Sequence, residues 1–189
     1  MSRAWREGDL QFEFGPSWHY VLWDKDPAFK KGIRLLQHEN SGSKGIDCLA
    51  VHEQLGVCFL EVTDGRGDAQ FVKTIENKAL FAEVGFKVRD TLAGLVGTLS
   101  RTGRNEEKWE PFRKSLEKGL FSVVLWVEHE SFRHSLTGEL AEMTNELRRY
   151  VKWLTHHRVI ITNTDVGWGD LLPDLNVVNL PGAGQLTNR

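Results

Sequence analysis

Two apolar runs, IDCLAV (46–51) and VCFLEVT (57–63), decide the fold of this chain. Each run is apolar at successive positions, which is typical of strands that are buried on both faces. The short loop HEQLG between them can join antiparallel strands, and the symmetrical spacing then pairs Leu49 with Phe59. The segment therefore predicts a central hairpin with a fixed register.

The same register places Asp47 opposite Glu61, where an otherwise apolar ladder ends. Opposed like charges repel, so the pair needs a shared proton, a nearby basic side chain or a divalent cation held by oxygen ligands. Solvated strand ends, or a one-residue slip that separates the acids, are the alternatives. Cys48 and Cys58 alternate with the acids, so we expect free thiols on the opposite, helix-covered face.

Helix and strand periods alternate through the rest of the chain. Strands are expected at 18–23, 120–127 and 159–162, and helices at 78–101, 111–119 and 140–154. No repeat or linker interrupts this order. The pattern predicts one α/β domain over residues 1–189, with a mixed central sheet flanked by helices on both faces and loose tails at 1–9 and 182–189.

Composition restricts the class of partner. Lys plus Arg number 24 against 26 Asp plus Glu, so the net charge of -2 leaves no global basic surface, and any nucleic-acid surface must be local. No apolar run approaches the roughly 20 residues of a membrane span, and the N-terminus lacks the apolar core of a signal peptide. We therefore expect a soluble, cytoplasmic protein that has no membrane partner.

Four segments follow one another in a specific order: GIDCLAV (45–51), CFLEVTDGRG (58–67), TIENK (74–78) and KVRDTLAGL (87–95). In this order they resemble the PD-(D/E)xK, or restriction-endonuclease-like, nuclease superfamily. The resemblance is closest to a poorly characterised bacterial group with the segments D…LIEVKDFRG…IENK…KVRDTLAGL, and it covers about residues 44–97. It implies a restriction-endonuclease-like core.

The resemblance also implies roles for individual residues. Asp47 and Glu61 would bind Mg²⁺ or Mn²⁺, with the main-chain carbonyl of Val62 as a further ligand. The superfamily's lysine, which positions or activates the attacking water, falls at Thr63, and a threonine hydroxyl is uncharged at neutral pH. A lysine from another element can supply the missing charge, and Lys73, Lys78 and Lys87 are the candidates. Of these we expect Lys87 to be the third catalytic residue.

Lys87 is chosen because it lies on the helix that follows the strand carrying Glu61. On the helical wheel Glu83, Lys87 and Asp90 lie away from the apolar stripe, with Glu83 and Lys87 one turn apart. An ordinary solvated Glu–Lys pair is the alternative.

Three other basic residues are expected to contact nucleic acid, although a glycine-flanked arginine is more often simply exposed in a turn. They are Arg66, Lys73 and Lys78.

Two functions remain open. The first is a divalent-metal-dependent nuclease acting on nucleic-acid phosphodiesters, with activity that is impaired or partner-dependent because of Thr63. The second is a catalytically inactive nuclease-fold subunit that binds nucleic acid or a protein partner in a bacterial antiviral-defence or repair assembly. The presence of Thr63 where the superfamily has lysine is the feature that separates them.

Overall fold

The strands of the fold form two sheets. The computed structural model describes residues 3–31, 44–68, 70–101, 107–130, 138–155, 158–166 and 168–180. The strands are β1 (Arg3–Glu7), β2 (Leu10–Phe14), β3 (Trp18–Leu22), β4 (Cys48–His52), β5 (Gly56–Asp64), β6 (Phe121–Glu128), β7 (Val159–Thr162) and β8 (Leu175–Asn179). Those expected at 18–23, 120–127 and 159–162 are confirmed within a residue at each end.

The longest helix, α3, buries one apolar face, as its three- and four-residue spacing predicts, while Phe86 and Val96 are exposed. The helices are α1 (Pro27–Lys30), α2 (Phe71–Glu76), α3 (Ala79–Arg101), α4 (Glu110–Glu117) and α5 (Gly138–Val151). The three helices expected from the sequence correspond to α3, α4 and α5. The short helices α1 and α2 were not expected, because neither is long enough to show an amphipathic period.

The larger sheet has the strand order β3-β4-β5-β6-β7 and is mixed, as predicted. Its first three strands are antiparallel, and β6 and β7 continue parallel to β5. The expected hairpin register is confirmed, since Leu49 pairs with Phe59. Gly56 begins β5 at a φ of +73°, where a Cβ atom would lie 2.1 Å from the Leu120 carbonyl oxygen, so only glycine fits this close approach.

One face of the larger sheet packs against helices. Its core combines strand residues such as Leu49 and Phe59 with Val84 and Val88 of α3 and Leu147 of α5. These side chains are almost fully buried. They pack α3 into the helix-covered core beside α5, and this packing decides where the polar residues Glu83 and Lys87 of α3 lie.

The other face is covered by a second sheet, and the expectation of helices on both faces is wrong. This sheet has the order β1-β2-β8, and Leu10, Phe12 and Phe14 of β2 point into the shared core. Phe12 meets Trp126 of β6 edge-on at a centroid distance of 5.4 Å. Residues 3–7, expected in a loose tail, form β1, whereas residues 182–189 lie outside the described part of the chain.

Cys48 and Cys58 are buried free thiols, as predicted. They also face away from the acids, but the second sheet covers them rather than helices. This difference has the same cause as the missing helical layer, namely the unexpected strands β1, β2 and β8. None of the helices in the described ranges is long and apolar enough to cross a bilayer.

Candidate active site

Asp47 lies where the hairpin ladder ends. The last pair of β4 and β5 is Cys48 with Leu60, so the same register brings Asp47 opposite Glu61. The Asp47 carboxylate accepts a hydrogen bond from the Val62 amide at 2.8 Å through Oδ2. The Asp47 side chain therefore accepts from a backbone amide that would otherwise bond to the neighbouring strand. This hydrogen bond holds the carboxylate beside Glu61 and Val62.

The segment before Asp47 is fixed by α3 and the core. The Ile46 amide donates to the Thr91 hydroxyl at 3.1 Å and so leaves the ladder. Ile46 is fully buried, and a Cβ atom on Gly45 would lie 2.8 Å from Trp23. The peptide is clamped, which limits how far Asp47 can move.

Glu61 is a buried carboxylate with one satisfied oxygen. The residue is 4% exposed, and Oε1 contacts the Lys87 ammonium group. Within the described residues Oε2 is buried without a hydrogen-bond partner. An unpaired buried carboxylate oxygen is costly, so Oε2 marks a position where a proton or a cation would be stabilised.

Lys87 reaches Glu61 from α3, and the structure rules out the alternative of a purely solvated Glu–Lys pair. Its side chain is 17% exposed, and its Nζ is 3.7 Å from Glu83 one turn earlier on the helix. Val84 and Val88, on either side, are buried in the core. Lys87 therefore sits at the border of the apolar stripe, where its stem is covered and its ammonium group points to the acid pair.

The acid pair holds protons more tightly than ordinary carboxylates. Burial raises the pKa of Asp47 to about 6, although the Val62 amide and Lys87 oppose the shift. Burial and then the Asp47 charge raise the pKa of Glu61 to about 8, against the effect of Lys87. Burial disfavours the Lys87 ammonium, but Glu61 and Asp47 more than compensate, so its pKa lies above the ordinary value. The charge of Lys87 neutralises one of the two carboxylates, so the other carboxylate favours its protonated form.

The donor set fits a hard divalent cation that keeps most of its water. Asp47 and Glu61 offer carboxylate oxygens side by side, and the Val62 peptide is within hydrogen-bond distance of Asp47. No cluster of three His, Cys, Asp or Glu side chains forms a ready-made metal site in the described ranges. Mg²⁺ is commonly held by one or two carboxylates plus water and substrate phosphate, so a two-acid site is compatible with it.

Lys44 lies beside Glu83 at the edge of the site, and no sequence pattern predicts this position. Its ammonium group donates to Glu83 Oε1 at 2.8 Å, and its side chain is 59% exposed. The contact joins residues that are 39 positions apart, and no local pattern signals it. Only the path of the 44–47 segment over α3 brings it to the site.

The other expected residues do not join this cluster. Thr63 shares the face of Glu61 by strand alternation and is partly exposed. The Arg66 side chain, 5% exposed, binds Asp64 and donates to Asn179 at 2.7 Å, and its assignment to nucleic-acid binding stays a prediction.

The two remaining lysines lie on or beside α2. Lys73 is exposed on that helix, and Lys78, which follows it, forms an ion pair with Glu146 at 3.2 Å. Among the described residues, neither lysine forms a hydrogen bond or an ion pair with Asp47 or Glu61. Their assignment to nucleic-acid binding stays a prediction.

The raised pKa of Glu61 has a measurable consequence for stability. Between pH 4.5 and about 8 the folded state keeps a proton that the unfolded chain has released, so stability is lost as pH rises. Without added metal, the unfolding free energy of wild type relative to Glu61→Gln should fall across this window, by at most about 1.4 kcal/mol per pH unit. Urea unfolding in EDTA at several pH values measures it, and parallel curves for the two proteins would contradict the assignment.

The chain is similar to part of a much longer protein. A cysteine–tRNA ligase of Neisseria meningitidis serogroup A / serotype 4A (strain DSM 15465 / Z2491) is 30% identical over 129 residues. The match covers 66% of this chain but only 18% of that relative, so the chain spans less than a fifth of the relative's length. No family model matches the chain, and no solved structure matches it.

Proposed function

We propose that this chain is a divalent-metal-dependent, nuclease-like protein that hydrolyses nucleic-acid phosphodiesters, with a restriction-endonuclease-like core and with Lys87 in place of the motif lysine. The observation that carries the proposal is the contact of Lys87 with Glu61 beside Asp47. Glu61 of β5, Lys87 of α3 and Asp47, one residue before β4, lie together at the place where the resemblance puts the acids of the motif.

Lys87 supplies what Thr63 cannot. Its ammonium group has three donors, of which Glu61 uses one and Glu83 lies near a second, so a donor remains to orient a water molecule or to bind a phosphate oxygen. The charge lies in a largely buried position, where it acts more strongly on a developing negative charge than it would in bulk water. The helix thus delivers the cation that the strand lacks.

Asp47 and Glu61 are proposed to hold Mg²⁺ or Mn²⁺, with the Val62 carbonyl as a further ligand. When bound, such an ion neutralises phosphate charge and makes water a stronger acid. In the hydrolysis a water molecule loses a proton and its oxygen bonds to phosphorus as the bond to the leaving oxygen breaks, and the leaving oxygen takes up a proton. The carboxylates orient this reaction because both are fixed by the backbone around the hairpin end.

The substrate class is nucleic acid, and the matching relative makes tRNA one member of the test panel. That relative is named as a ligase for tRNA, and its match covers 66% of this chain. The local charges suit a single phosphodiester rather than a long nonspecific track, since the whole chain has a net charge of -2.

A cleavage assay tests the proposal. Purified protein is incubated with single- and double-stranded DNA, RNA and tRNA, in Mg²⁺ or Mn²⁺ and in EDTA. We expect divalent-dependent cleavage of at least one substrate, and loss of that cleavage in Asp47→Asn with Glu61→Gln.

The outcome also separates the second function. Metal-dependent binding without cleavage by the wild type would contradict the nuclease and favour the inactive subunit that binds nucleic acid or a protein partner. The observation that favours this alternative is Thr63 itself, which leaves the motif position without a charge. Cleavage that persists in the double variant would place the chemistry elsewhere.

A further inference from the structure

Lys44 is exposed at its tip but anchored at its base. The next two residues, Gly45 and Ile46, are packed against Trp23 and hydrogen-bonded to Thr91, as described above. Lys44 therefore projects from a fixed backbone position three residues before Asp47. Its side chain is 59% exposed, whereas that of Lys87 is 17% exposed.

Glu83 connects the two lysines. Its Oε1 atom lies 2.8 Å from the Lys44 ammonium nitrogen and 3.7 Å from that of Lys87. The two cations hold the pKa of Glu83 below its ordinary value, with Lys44 the larger influence. One carboxylate oxygen thus lies within ion-pair distance of both ammonium groups at the edge of the acid pair.

The charges around the site decide what it can attract. Asp47, Glu61 and Glu83 face Lys44 and Lys87, which leaves one net negative charge when all five groups are ionised. A bound divalent cation reverses the sign to one net positive charge, which suits a single phosphodiester. Recognition of phosphate at this site should therefore depend on the metal.

We propose that Lys44 binds a phosphate of the nucleic-acid strand beside the scissile one, and that Glu83 is the positioning residue that holds Lys87 while Lys44 turns from Glu83 to the substrate. This inference rests on the proposed function, because it assumes that the acid pair is the site of cleavage. The exposed Lys44 has the freedom to change partner, whereas the largely buried Lys87 does not.

Binding measurements separate Lys44 from the catalytic residues. The probe is a short oligonucleotide with hydrolysis-resistant phosphorothioate linkages, of the type that wild type cleaves best, in Mn²⁺. Lys44→Ala should weaken binding roughly tenfold at low salt and reduce the slope of log K against log salt by about 1. Lys44→Arg should retain both, and Lys118→Ala, at an exposed lysine after α4, should match wild type.

Glu83→Gln should improve substrate binding but slow turnover. Removing a negative charge frees Lys44 and should lower KM, whereas the loss of the carboxylate beside Lys87 should lower kcat. A purely structural role would lower stability without this opposite change in the two constants. Glu83→Asp, which keeps the charge, should restore part of kcat.

The results distinguish this inference from the proposed function. If wild type binds the probe only with metal, but Lys44→Ala keeps the same affinity and salt slope, the role of Lys44 is wrong and the nuclease proposal stands. If wild type neither binds nor cleaves any nucleic acid in Mn²⁺ or Mg²⁺, both proposals are wrong.

Discussion

Lys87→Met is expected to lower the cleavage rate by roughly 10²- to 10³-fold, the usual cost of removing one preorganised charge from an active site. Methionine has an apolar stem of similar length, and Val84 and Val88 remain to pack α3 into the core, so the helix should keep its place. The rate is measured under single turnover with saturating metal. Circular dichroism confirms that the variant is folded.

A second substitution tests whether the positive charge must come from α3 or can come from β5. In the Lys87→Met background, Thr63→Lys places an ammonium group at the position where the superfamily carries its lysine, and cleavage should recover in part. Lys118→Met is the matched control and should leave the rate unchanged. A rate that is unaffected by Lys87→Met would show that this lysine only neutralises Glu61.

Divalent ions are expected to raise the melting temperature of the wild type by roughly 5 to 10 °C. A ligand at about 100 times its dissociation constant adds about 2.7 kcal/mol to stability, which has this effect in a domain of this size. The shift should be larger at pH 8 than at pH 6, because the metal must displace protons from Asp47 and Glu61, whose pKa values are raised to about 6 and about 8.

Asp47→Asn with Glu61→Gln should abolish the metal-dependent shift. Glu117→Gln with Glu142→Gln removes the same charge from exposed positions on α4 and α5, and it should keep the full shift. Differential scanning fluorimetry with Mn²⁺, Mg²⁺ and EDTA compares the three proteins. An equal shift in both double variants would mean that the ions bind elsewhere.

The hairpin register could be predicted because two apolar runs of nearly equal length flank a short loop. Once Leu49 opposes Phe59, the side-chain period of two places Asp47 and Glu61 on one face, and the structure agrees. The polar edge of α3 could also be predicted, because Lys87 lies outside the apolar stripe. The contact of Lys87 with Glu61 could not be predicted, because it depends on how α3 packs against the sheet.

The second sheet shows where local patterns were insufficient. β2 has the alternation of a half-buried strand, with Leu10, Phe12 and Phe14 inside, and this signal was present in the sequence. Its partner β8 lies more than 150 residues later, so nothing local indicates their pairing. The role of Lys44 could not be predicted for the same reason, because its contact with Glu83 exists only after the chain has folded.

The most direct test of the central claim is the anomalous difference density of Mn²⁺ in crystals of the wild-type protein. The proposed site predicts a peak between the carboxylates of Asp47 and Glu61, within bonding distance of both, and no peak there in Asp47→Asn with Glu61→Gln. Crystals in saturating Mn²⁺ that show no peak between these acids, with Lys87 still in contact with Glu61, would contradict a metal-dependent active site at this position.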